Sequence, residues 1–141
     1  MEWAALIAWI VTAGGGSVLL AIWLGKGGME QREGTDRIRP AFVLSHFGLA
    51  ATGLVLWLLY TLTDTQALAW IALVLVLAVA ALGWLMFFIW LRQRRATPSP
   101  GEGAAAAAPA EQNFPRALVA LHGVGAVATV VLVLLATLGV G

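Results

Sequence analysis

Four long apolar stretches decide what this chain can fold into: Trp3–Gly25, Pro40–Leu62, Gln66–Leu91 and Phe114–Val140. The first three carry no formal charge, and the fourth carries only Arg116 at its edge. Each is longer than the roughly 20 residues a helix needs to cross a bilayer core. A chain that is 61% apolar and only 11% charged has too little polar surface for four such runs to be the interior of an ordinary soluble domain. Backbone groups in lipid must be satisfied within their own segment, so the runs are expected to be helices rather than strands. The expected fold is therefore an all-α integral membrane protein, residues 1–141 forming one membrane domain. Its four transmembrane helices form an antiparallel bundle built as two helical hairpins.

The eight Lys and Arg residues fall in two places, Lys26, Arg32, Arg37 and Arg39 after the first span, and Arg92, Arg94, Arg95 and Arg116 between the last two. The opposite flanks hold only Glu2, Asp64 and the termini. By the positive-inside rule both long connections are expected in the cytoplasm and both termini outside, in a bacterial cytoplasmic membrane. No basic region precedes the first span, so it is expected to be a retained helix and not a cleavable signal. Residues 96–113, rich in Ala, Pro and Gly, read as a flexible cytoplasmic linker. The lipid bilayer is the first partner. The basic residues are accounted for by topology, and the net charge of +1 gives no reason to expect nucleic acid. With no Cys there are no disulfides, thiolate ligands or covalent haem attachment through this chain.

The two His residues lie inside spans. Shifting the chain by 76 positions lays residues 41–62 over 117–138, with ten of 22 positions identical, and His46 then coincides with His122. Both spans run in the same direction and carry the imidazole six or seven residues from the basic end, hence at one depth. Small residues follow on the same helix faces, Ala50 and Gly53 after His46, Gly125 and Ala126 after His122. Gly14, Gly15 and Gly16 in the first span invite close helix packing. Met86 lies at a similar depth and could supply a thioether.

Ionisable residues within spans are costly and mark function, and two matched imidazoles suit the axial positions of one iron porphyrin. His46 and His122 are thus candidate metal ligands, with Ala50, Gly53, Gly125 and Ala126 lining a flat slot. Arg39, seven residues before His46, is a candidate propionate contact, with Arg37 or Arg116 as a second. This pattern resembles the small four-helix membrane cytochromes of b type. The resemblance implies haem b held by His46 and His122, one haem per chain, in electron transfer or in support of a respiratory or photosynthetic complex whose other membrane subunits would be its partners. Two other readings stay open: a non-catalytic structural or assembly subunit whose His residues hydrogen-bond across the bundle, and a pigment subunit with a chlorin on each His. Transport is disfavoured because no carboxylate lies within a span. No nucleophile triad, paired-carboxylate site or multi-ligand metal cluster suggests an enzyme acting by itself.

Overall fold

The structure, a computed structural model, describes residues 1–30, 37–95 and 109–140. Four α-helices run in order: α1 (Glu2–Gly25), α2 (Pro40–Thr63), α3 (Gln66–Arg95) and α4 (Arg116–Thr137). Each is long and apolar enough to cross a membrane, which by length and composition is the signature of an integral membrane protein. Two 3-10 turns, Gly28–Glu30 and Ala110–Asn113, flank the basic end of the bundle.

Local chemistry sets the helix ends. Pro40 occupies a first-turn position of α2, where its missing N–H costs nothing. Asp64 ends α2 in the left-handed conformation, φ 52°, and returns its N–H to the Tyr60 carbonyl. Only Asp64 and Thr65 then separate α2 from α3. Helix α3 runs to Arg95, four residues past the expected end, because Arg92, Arg94 and Arg95 favour a helix C-terminus. Helix α4 begins two residues late, at Arg116, because Phe114 precedes Pro115 and is held extended. Of the expected linker 96–113, residues 96–108 lie outside the described residues. Its last part is built into the fold: Ala110 and Glu111 are buried.

Glu111 ties the basic end together. Its side chain accepts from the Ile38 N–H at 2.9 Å and from Gln93 Nε2 at 2.7 Å, while its carbonyl accepts from Trp90 Nε1 at 3.1 Å. Arg94 Nη2 donates to the Gln112 and Phe114 carbonyls. At the other end Trp57 Nε1 and Tyr60 Oη reach the Glu2 carbonyl and carboxylate, and Gln66 Nε2 reaches the Thr137 carbonyl. The helices form a square in which α1 packs on α4 and α2 on α3, with α1–α2 and α3–α4 as the other edges. Helices α2 and α4 therefore face each other along a diagonal.

The square is pseudo-twofold. Every buried residue of α1 (Ala5, Leu6, Trp9, Trp23) has a buried counterpart 67 positions on in α3 (Ala72, Leu73, Val76, Trp90). Every buried residue of α2 (Gly53, Trp57, Tyr60) has one 76 positions on in α4 (Thr129, Val133, Ala136). Fully buried residues are missing from one layer of the bundle. No residue of 10–22, 41–52, 77–89 or 116–128 is buried. At 1.5 Å per residue this thinly packed layer is about 18–20 Å deep.

Two outcomes follow. Asp64 and Arg92 are both exposed at opposite ends, so Asp64→Cys and Arg92→Cys should react with an impermeant thiol reagent from opposite sides of the membrane; labelling from one side would overturn the four crossings. Glu111→Ala strands the Ile38 and Gln93 donors and should cost roughly 2–4 kcal/mol in reversible unfolding in micelles, with Glu111→Gln milder because one side-chain oxygen remains.

Candidate functional site

His46 and His122 meet in the thinly packed layer, on the two helices of the diagonal. Their ring centroids are 6.3 Å apart and the ring planes make an angle of 63°. Both imidazoles are half-buried. Each is held by the helix on which its own helix packs. His46 Nδ1 donates to the Val79 carbonyl of α3 at 3.0 Å, and His122 Nδ1 donates to the Thr12 carbonyl of α1 at 3.0 Å. A helix carbonyl already receives the N–H four residues on, and its second lone pair takes the imidazole.

Reaching such a carbonyl requires the neighbouring helix to be bare one turn further on. It is bare in both cases. A methyl group placed on Gly83, four residues after Val79, would come within 3.2 Å of His46 Cε1. One placed on Gly16, four residues after Thr12, would come within 2.9 Å of His122 Cε1. Thr12 and Gly16 stand 67 positions before Val79 and Gly83, so one carbonyl–glycine–imidazole unit occurs twice about the pseudo-twofold.

The hydrogen bonds decide the protonation pattern. A carbonyl has no proton to give, so Nδ1 of each ring carries one and the neutral ring presents a lone pair at Nε2. Among the described residues neither Nε2 has a hydrogen-bond partner, and no hydrogen bond joins the two imidazoles. In the structural-subunit reading the His residues hydrogen-bond across the bundle, and the interhelical bonds found here run to carbonyls of the adjacent helices. A metal bound to both Nε2 atoms at about 2.0–2.1 Å puts the ring centres a little over 6 Å apart, once about 1 Å from each nitrogen to its ring centre is added. That matches the separation found. A bare ion is poorly served, because among the described residues no group of three or more His, Cys, Asp or Glu stands ready to hold one.

The other expected site residues divide. Ala50 and Ala126 lie half-buried one turn from the imidazoles. Gly53 instead admits the Trp9 indole, where a methyl group would meet Cη2 at 2.9 Å, and Gly125 admits the Thr12 hydroxyl at 2.6 Å. Thr12 Oγ1 also lies 3.3 Å from Thr129 Oγ1, across the α1–α4 contact. Arg39 precedes the first helical residue of α2 in extended conformation and is exposed, so the same-face argument from helical spacing stops one residue short of it. Arg37 is half-buried, Arg116 exposed and Met86 half-buried; neither ring has Met86 among its hydrogen-bond or ring partners. Gly16 enters the sequence reading only through close helix packing, and Gly83 and the two carbonyls were not among the candidates, although the 67-position shift that pairs Gly16 with Gly83 and Trp23 with Trp90 was there to be read.

No family model, curated protein or solved structure matches the chain. The site therefore rests on its own geometry.

That geometry has a direct check. Nitrogen-15 spectra of the imidazoles should show the Nδ1–H form for both His46 and His122 in the ligand-free protein. Gly16→Leu should release His122 Nδ1 from Thr12 while sparing His46, and cost about 1–3 kcal/mol as overpacking does. An Nε2–H form at either ring would overturn the site described here.

Proposed function

We propose that the protein binds one haem b between His46 and His122 and serves as an electron-transfer subunit of a respiratory or photosynthetic membrane complex. The observation that carries this reading is the paired arrangement of the imidazoles, each anchored through Nδ1 to a helix carbonyl and each presenting a free Nε2, with ring centres 6.3 Å apart. In metal sites the anchoring hydrogen bond fixes the ring and strengthens the donor nitrogen. His46 and His122 would hold the haem, which would supply one-electron chemistry suited to electron transfer.

The chain's own residues account for the rest. Gly16 and Gly83 keep the imidazoles against the neighbouring helices, and the layer around them has no buried side chain to be displaced. The proximity of the two rings, centroids 6.3 Å apart, supports one group shared by both His residues over one chlorin on each. It also leaves no axial role for Met86. By the distribution of basic residues the site lies nearer the cytoplasmic face, with both termini outside.

A reduced-minus-oxidised spectrum of the purified protein tests this. Sharp bands of low-spin b haem are expected, and His46→Ala or His122→Ala should each turn the spectrum high-spin or abolish it, with added imidazole restoring low-spin bands. A featureless spectrum from the unsubstituted protein would favour the structural subunit, and long-wavelength bands a chlorin.

A further inference from the structure

Two buried tryptophans, Trp23 and Trp90, lie just beyond this layer at the basic end. Trp23 stands seven residues after Gly16 on α1, and Trp90 seven residues after Gly83 on α3, so each lies two turns along the face that holds an imidazole. Their surroundings differ. Trp90 Nε1 gives its proton to the Glu111 carbonyl at 3.1 Å. Trp23 is fully buried, at 0% exposure, and its Nε1 has no acceptor. A buried N–H without a partner costs free energy that native folds rarely tolerate. One other buried side-chain donor among the described residues shares this condition, and it is at the same end: Arg94 Nε, whose guanidinium lies 4.8 Å over the Trp90 ring and whose Nη2 is already bonded to the Gln112 and Phe114 carbonyls.

Two unanswered donors, one on α1 and one on α3, call for acceptors at one end of the site. Resting on the haem reading, we infer that Trp23 Nε1 and Arg94 Nε receive the two acidic groups on one edge of the ligand held between His46 and His122. The distance is suitable. Seven residues of helix place Trp23 about 10 Å along the axis from Gly16, and Arg94, eleven residues and about 16 Å beyond Gly83, has its guanidinium over the ring of Trp90, which itself stands seven residues beyond Gly83. The symmetry is suitable too. Both propionates leave the same edge of the macrocycle, one on each side of a line through the metal, as Trp23 and Arg94 lie on the two helices related by the pseudo-twofold. The ligand's acidic edge then points to the basic end of the bundle. Arg39, the residue favoured by sequence spacing, is exposed at that end and is replaced in this role by donors that are buried.

The test compares haem b with its dimethyl ester, which has the same macrocycle and metal but no carboxylate, added to ligand-free protein in micelles. The unsubstituted protein should retain haem b at least about tenfold more tightly than the ester, the scale of a hydrogen bond to a charged group. Trp23→Phe keeps the aromatic packing but removes the N–H, and should shrink that preference several-fold while leaving low-spin bands intact. Arg94→Lys keeps the charge but removes Nε, and serves as the independent variant if Trp23→Phe fails to fold. Equal weakening of haem b and ester by both variants, or no preference in the unsubstituted protein, overturns the assignment of these donors while the bis-histidine reading stands. Failure of both compounds to give low-spin bands overturns the two readings together.

Discussion

An imidazole inside an apolar bundle has to place its N–H on an acceptor, and at the depth of His46 and His122 the acceptors used are carbonyls of the adjacent helices. Much of the architecture follows from that. A helix carbonyl can be approached from the side only where the next turn offers no side chain, hence Gly83 beside His46 and Gly16 beside His122. With close approach on two edges of the square, the two imidazoles meet across the diagonal. The layer that contains the rings is consequently poor in buried side chains, and the bundle has to be held at its ends. Between helices in lipid, packing and hydrogen bonds do this rather than the hydrophobic effect. Trp9, Trp57 and Tyr60 with the Glu2 contacts hold the end that carries the termini, and the Glu111 knot holds the basic end.

The four helices and their antiparallel order were legible because apolar runs of this length, charged only at Arg116, are long enough to cross a membrane and are joined by short connections, and the placement of His46 and His122 at one depth followed from counting residues along parallel-running helices. What was not legible depends on helix rotation. The runs are apolar on all sides, so nothing in their periodicity says that Gly53 faces Trp9 or that Gly125 faces Thr12. The same ambiguity hid Gly83, a lone glycine in α3 whose value lies in what the α2 helix brings against it. Glu111 was obscured for a different reason. Its neighbours in sequence have linker composition, while its partners Ile38, Trp90 and Gln93 come from distant parts of the chain.

The repeat deserves weight from burial more than from identity. Leu, Val and Ala recur so often here that ten matches in 22 positions argue weakly by themselves. Burial is a separate quantity, set by three-dimensional packing, and it repeats at all four buried positions of α1 in α3 and at all three of α2 in α4. Side-chain identity is free to drift under that constraint: Trp9 corresponds to Val76 and Gly53 to Thr129. Where the site lies, identity is kept as well, at Gly16 with Gly83 and at His46 with His122.

A site on a pseudo-twofold axis obtains two equal ligands from one local solution used twice, which is what a symmetric six-coordinate metal requires. The same symmetry says nothing about which of two otherwise alike hairpins takes which side of a ligand. That difference has to come from residues that break the repeat. Trp23 and Trp90 are equivalent by position and burial, yet the segment before α4 supplies Glu111 to satisfy Trp90 and leaves Trp23 without an acceptor. On the α3 side Arg94 takes the place that Trp23 holds on α1 as the unanswered donor. The symmetric core thus supplies two alike imidazoles, and the asymmetric connections at the basic end supply the donors by which the two hairpins differ.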